Sequence, residues 1–409
     1  MAARGADVNM SRLPFEDVRT LSFSQALAGN TCATLLAELG ADLIKIESRK
    51  RPDPGRPRRW PDHPPTLEPT GVETNAQFGG TARSAKGITL DMSSPRGREL
   101  FKRLVAVSDI VVENFSATVM SRWGLDYEAL CRVKPDIIML SMPGLGKTGP
   151  KREYVTYGGI ISAFTGLTHL WQYASANHND YVAAAHGAFA LLMCLEHRDR
   201  TGEGLAIDLA QVESGAAIMG PLYLDYLVNR REAQPSGNRV PGSAYSGVFR
   251  CKGPDCWIAL ELEGEEDWER FCVALGQPDL LRDSRFAIPE ERARNAERLD
   301  EVTAEWTANH TAQQAMLRLQ KAGLAAGVVQ NGEDLYRDPQ LRARRFMTEI
   351  THPDLGTIEY PQSPHRLSKS PGHARRPAPR LGEHNEYVFR GWLGLSAEEL
   401  QALVDEGIV

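Results

Sequence analysis

Short apolar runs and longer amphipathic segments take turns along the first half of the 409-residue chain. Residues 18–23 are an apolar run. The small-residue turn 24–30 follows, then a helical segment that closes at Gly40, a natural C-cap. Residues 41–47 are a second apolar run. Strand, turn, helix, strand is the unit of a parallel sheet. Further strand-like runs fall at 88–92, 109–115, 136–142 and 205–211. Between them lie a helix with Pro95 near its first turn, one through Arg122, Trp123 and Leu130, and one over 212–228. The 136–142 run suits a strand covered on both faces. The pattern predicts the α/β class.

Polar stretches set the organisation. Residues 1–15 read as a flexible lead-in. Residues 48–80 turn basic and then Pro-rich, which predicts a loop. It is either a solvated excursion or a phosphate-facing rim carrying Arg49, Lys50, Arg51 and Arg56. The Gly/Pro loop 143–150 ends a strand, where open α/β sheets bind ligands. Residues 229–247 are polar and rich in Gly and Pro, as domain boundaries are. A hairpin, a short helix at 265–276, a long polar helix over 295–322 and a strand at 325–331 come next. They predict a smaller α+β domain over 226–330, with a large domain from 1–225 and 331–409. Ser396 and Glu399 form a capping box for the last helix.

One stretch stands apart, 177–204. Asn177, His178, Asn179 and Asp180 open it, and an Ala-rich, Leu-rich segment ends in Glu196, His197, Arg198 and Arg200. This is a helix charged as its macrodipole favours. Nearly every position from 182 to 195 is small or apolar, so the helix is expected to be buried. Taken alone, Asp180 reads most simply as an N-cap. The alternative is a carboxylate kept ionised and away from water, as a nucleophile needs.

Composition narrows the choice. Hydrophobic residues at 42 % and charged residues at 24 % fit a globular protein. The net charge of −6 argues against a general nucleic-acid partner, though a local basic patch still suits a phosphorylated small molecule. Six scattered cysteines form no zinc pattern, so no metal is expected, and they read as reduced and cytoplasmic. No apolar leader or run of ~20 apolar residues appears, so neither secretion nor a membrane is expected. The turn after the first strand lacks a G-x-G-x-x-G dinucleotide fingerprint.

Six separated stretches together resemble one family, the class III CoA-transferases, relatives of formyl-CoA and carnitine CoA-transferases. They are SQALAGN…LLAELGADLIKIE (24–47), residues 86–130, GKTGP (146–150), residues 180–204, SGNRVP (236–241) and residues 380–409, in family order. The resemblance implies a Rossmann-like large domain and an interlocked, ring-shaped homodimer. It implies no permanently bound cofactor; coenzyme A and acyl-CoA are substrates. The family's catalytic aspartate falls on Asp180. Its carboxylate would attack the donor thioester, giving an aspartyl–acyl anhydride and CoA thiolate. The thiolate would then attack the aspartyl carbonyl, parking CoA on the enzyme and releasing the donor acid. The acceptor acid would reverse these steps. The route divides one hard exchange into easier ones and requires that water be kept out.

The resemblance also assigns Gln25 to the thioester oxygen. It assigns Asn114, Phe115 and Arg122 to CoA, and Arg49, Arg83 and Lys86 to its phosphates. Three departures stand out: Ser48 where relatives carry Arg, RVPGSAYSG after Asn238 in place of a glycine-rich lid, and Asn30 where many have Pro. The missing lid points to a different or larger acyl group. Phrase similarity around 144–150 and 154–159 leans towards dicarboxylic or aryl-substituted acids. Two alternatives stay open. One is a 2-methylacyl-CoA racemase, in which a histidine would stand about where Tyr157 does. The other is a subunit of a heteromeric CoA-transferase.

Overall fold

A computed structural model describes residues 13–56, 75–173 and 177–409. The short apolar runs line up as β1 (Arg19–Ser22), β2 (Asp42–Glu47), β3 (Lys86–Thr89), β4 (Ile110–Glu113), β5 (Ile138–Ser141) and β6 (Ala206–Asp208). They form one sheet in the order β3-β2-β1-β4-β5-β6, parallel throughout. The order runs outward from β1, then restarts beside it at β4. The carboxyl ends of β1 and β4 flank that reversal, where sheets of this kind hold their ligands.

Helices cover both faces, so β4 and β5 are apolar and buried along most of their length. On one face, helix Ala28–Glu38 and helix His178–Thr201 set Cys32, Leu36, Ala184 and Leu191 against Ile110, Val112, Ile138 and Leu140. On the other, helix Pro95–Val105 lays Leu100, Phe101 and Leu104 against Leu21, Phe23 and Val111. Val388, Phe389 and Leu403, from the end of the chain, close that side.

The chain divides into two compact units. One runs to Ala233 and resumes at Ala343; the other is Gln234–Arg342. The second holds an antiparallel sheet of β7 (Tyr245–Arg250), β8 (Trp257–Leu262) and β9 (Ala325–Val328), with Phe249, Ile258, Trp268, Phe271 and Leu299 in its own core.

Several elements differ from the sequence pattern. The stretch read as helix 212–228 is two helices, Gln211–Ala217 and Gly220–Asn229, because Pro221 starts the second and cannot continue the first. The 295–322 helix breaks into Ala296–Ala308 and Ala312–Lys321, where Thr311 and Gln314 build a capping box. A hairpin, β10 (Met347–His352) and β11 (Gly356–Pro361), begins ahead of the Pro-rich return and runs into it. The loop read over 48–80 carries a short helix, Ala76–Thr81, while its residues 57–74 and the lead-in 1–12 lie outside the described residues.

Helix His178–Thr201 is not buried all round. Ala183, Ala184, Gly187, Leu191 and Leu195 face the sheet, while Tyr181, Phe189 at 62 % and Met193 at 52 % exposure face outward. Helix Gly220–Asn229 buries none of its residues and exposes Tyr223, Leu224, Leu227 and Val228. An amphipathic count could not separate these faces, because both are apolar. Among the described residues no helix is long and apolar enough to cross a membrane.

Candidate active site

The chain leaves β1 through a turn whose backbone is tied down by side chains. Asn114 follows β4, and its Oδ1 accepts the Gln25 N–H at 2.8 Å while its Nδ2 donates to the Gln25 carbonyl at 2.9 Å. Glu113, buried at the end of β4, accepts the Phe115 N–H at 2.8 Å and so holds the second loop. Burial pushes the Glu113 carboxyl up, against the pull of the Ser141 hydroxyl. Phe115 packs between Trp123, at 5.4 Å between ring centres, and Phe23, at 6.0 Å.

Asp180 lies in the first turn of the 24-residue helix His178–Thr201. It is not the N-cap, as the stretch alone suggested; Asn177 holds that position and makes no side-chain cap bond. Burial pushes the carboxyl pKa of Asp180 up to about 6, and the backbone amides of Ala28 and of Asp180 itself favour the charged form. The positive end of the helix dipole acts in the same sense as those amides.

A cavity of about 190 Å³ opens onto these groups. Gln25, Ala26 and Leu27 line it from β1, Asn114, Phe115, Ser116 and Val119 from β4, Pro143 and Gly144 from β5, and Asp180 from the long helix. Arg152, Tyr154, Val155, Thr156, Tyr157 and Gln211 complete most of the remainder. Among the described residues that line it, Arg152 is the one cation, and its ion pair is the 3.6 Å contact to neighbouring Glu153. Gln211 donates Nε2 to the Met142 carbonyl at 2.8 Å; its buried Oε1 has no partner among the described residues. A larger recess of about 460 Å³ beside Gly146, Gly149 and Lys151 contains neither Asp180 nor Gln25.

The cavity thus brings together four of the residues singled out from the sequence: Gln25, Asn114, Phe115 and Asp180. The other four do not line it. Arg122 is exposed, its Nε 3.4 Å from the Thr118 carbonyl. Arg49 is exposed, with its guanidinium beside Gly382. Arg83 is held by Glu38 at 2.6 Å, and Lys86 pairs with Asp42 while stacking on Tyr387. The rim reading fails for Arg56: it is 2 % exposed, paired with Glu47 at 2.7 Å and stacked 3.8 Å over Phe78. Neither His178 nor His186 lines the cavity; Tyr157 does.

Sequence reasoning missed Arg152, Gln211 and a buried set of Lys45, Asp53 and Asn30, the last noted only as a departure from relatives. The usable signal was Lys45, a cation in the middle of the apolar run 41–47. A lysine so placed is rarely buried without a partner.

A family model described as CoA-transferase family III matches residues 15–385, from β1 through the cavity to the C-terminal return. The chain belongs to that family. It is an enzyme that transfers coenzyme A. The chain is similar to a succinyl-CoA–D-citramalate CoA-transferase of Chloroflexus aurantiacus, 32 % identical over 97 % of this chain and 98 % of that one. It is similar, at 29 % identity over 98 % of this chain and 100 % of that one, to the β subunit of a succinyl-CoA–L-malate CoA-transferase of the same organism. The crystal structure of a CaiB/BaiF family protein from Brucella suis superimposes with a TM-score of 0.83, at 27 % identity, over 94 % of this chain and all of that one. The mixed α/β architecture with its parallel six-stranded sheet agrees with that fold.

Proposed function

We propose that this family III enzyme moves coenzyme A from succinyl-CoA to a dicarboxylic acid through covalent intermediates on Asp180. The observation that carries the reading is one cavity, at the reversal of strand order, holding a half-buried carboxylate opposite the Gln25 turn. The Asp180 carboxylate attacks the thioester carbonyl, and the C–S bond breaks to give an anhydride and CoA thiolate. The Gln25 amide faces the oxygen that gains charge. The thiolate then takes the aspartyl carbonyl, and succinate leaves. The acceptor carboxylate attacks the aspartyl-CoA thioester, forming a second anhydride. The thiolate returns to its acyl carbon, and Asp180 is free again.

Two features support a dicarboxylic acid. The named acids of the two relatives, citramalate and malate, are both dicarboxylic. Arg152 gives this cavity a cation for the carboxylate that does not react. Phe115 and Asn114 flank the pantetheine arm in this reading. Arg49 and Arg122 are exposed and open to CoA phosphates; Arg83 and Lys86 would first have to leave Glu38 and Asp42.

A racemase would need an acid/base pair, and the position expected for its histidine is Tyr157. The apolar outer faces of helices His178–Thr201 and Gly220–Asn229 support a second chain packed over them, in the interlocked homodimer or as one half of a heteromer. An intact Asp180 favours an active chain in either. The test is turnover of succinyl-CoA with a panel of dicarboxylic and monocarboxylic acids. CoA transfer that requires a dicarboxylic acceptor supports the reading; hydrolysis alone, or exchange of the α-proton without transfer, rejects it.

A further inference from the structure

We propose that Asn30, Lys45 and Asp53 are positioning residues for the reaction: a buried, charged clamp that fixes the 24–28 turn against Asp180. The inference rests on the covalent reading of Asp180 given above.

Three consecutive residues of the turn have their backbone groups held by side chains. The Ser24 carbonyl accepts from Lys45 Nζ at 2.7 Å. Gln25 is held at both groups by Asn114. Ala26 donates its N–H to Asp53 Oδ1 at 3.1 Å and accepts Asn30 Nδ2 at its carbonyl at 3.1 Å. The clamp is also closed on itself. Lys45 Nζ meets three acceptors: the Ser24 carbonyl at 2.7 Å, Asn30 Oδ1 at 2.9 Å and Asp53 Oδ2 at 2.7 Å. Asp53 gathers four donors, adding Gly55 N–H at 2.7 Å and Asn30 Nδ2 at 2.9 Å to Ala26 and Lys45. All three side chains are at most 3 % exposed.

The conformation held is not a relaxed one. Ala26 sits at φ +58°, the left-handed region that a residue with a Cβ enters reluctantly. Such a residue persists only where its surroundings over-determine it. On either side of that kink, Gln25 lines the cavity and helix Ala28–Glu38 begins with the Ala28 amide at Asp180.

Stability alone does not account for such a clamp. A buried ion pair is commonly no better for folding than apolar residues of the same size, because both charges lose their water. What apolar residues cannot do is accept the Ala26 N–H or donate to the Ser24 and Ala26 carbonyls. The set therefore orients groups whose misplacement by an ångström costs a reaction of this kind heavily.

The test replaces the charges by shape: Lys45→Met with Asp53→Leu, assayed beside Asn30→Ala. The acyl-CoA probe is succinyl-CoA, and the concentration of competent sites is counted by hydroxylamine trapping at Asp180. The double variant leaves the Ser24 carbonyl and the Ala26 and Gly55 N–H groups without these partners, so the proposal expects a folded protein with a lowered thermal midpoint, KM for succinyl-CoA within about threefold, and kcat per trapped site lower by about 100-fold. Asn30→Ala, which keeps the ion pair, is expected to lose about tenfold in the same constant. A folded variant whose kcat per trapped site stays within about threefold of wild type overturns the proposal. So does a loss seen only as fewer trapped sites, because a purely structural role would reduce their number and not their rate. If the double variant does not fold, Asn30→Ala decides by the same two criteria. Failure of the underlying reading is distinct: the wild-type enzyme itself would then show no label at Asp180.

Discussion

The side chain of Asn114 holds both backbone hydrogen-bonding groups of Gln25, at 2.8 and 2.9 Å, across the point where the strand order reverses. One loop leaves β1 and the other leaves β4, and this pair is what keeps their spacing. Asn114→Leu removes both bonds at little change in volume. It is expected to lower kcat by about 100-fold, the scale of a misplaced oxyanion donor, with a much smaller change in KM for acyl-CoA. Steady-state kinetics on succinyl-CoA checks this; a loss confined to KM would assign Asn114 to CoA binding alone.

Asp180 gives the enzyme a pH signature. Its folded pKa, about 6, lies above the ordinary aspartate value of 3.8 because of burial. The nucleophile must be ionised, so kcat/KM is expected to fall as pH drops through about 6. Stability has the opposite slope. Between the two values the folded state binds more protons than the unfolded one, so stability declines as pH rises across that window. Asp180→Asn should therefore raise the melting temperature by a few degrees at pH 7 and have little effect near pH 3.5, while abolishing transfer. A melting temperature unchanged at both pH values would show that the carboxylate is not held against its solvation.

Arg152 is expected to select acids rather than CoA. Arg152→Gln should raise KM for dicarboxylic acceptors by about tenfold, worth ~1.4 kcal/mol for a charge-assisted contact at a half-exposed residue. Monocarboxylic acids should be unaffected. Equal losses for both classes would move Arg152 from acid selection to general electrostatics.

Much of the frame was legible in the chain. β1 to β5 appear as short apolar runs, and the helix after Pro95 begins where proline fits best. The Ser396 capping box forms as its spacing indicates. What escaped were features that depend on partners far away in sequence. Arg56 looked like a surface cation until Glu47 and Phe78 were seen to enclose it. Asp180 looked like a cap because its distance from residue 28 is invisible in a linear reading. Lys45 and Asp53 are 8 positions apart, one in an apolar run and the other in a stretch whose composition suggested only a loop. Helix His178–Thr201 was read as buried because its outer face is as apolar as its inner one.

Helix Gly220–Asn229, apolar and exposed like that outer face, makes its own prediction. Replacing Leu224 and Leu227 by glutamate puts charge on a helix that buries none of its residues in the single chain. If a second chain covers it, light scattering should report a smaller particle, and the melting temperature, dependent on protein concentration in the wild type, should lose that dependence. A mass unaffected by the substitutions would leave this face without a partner.

The most direct measurement is mass mapping of the enzyme after incubation with succinyl-CoA and quenching with hydroxylamine. The account predicts a single modified peptide, with the hydroxamate on Asp180, formed without an acceptor acid and absent from Asp180→Asn. A label on any other residue, or CoA transfer that continues in Asp180→Asn, would contradict it.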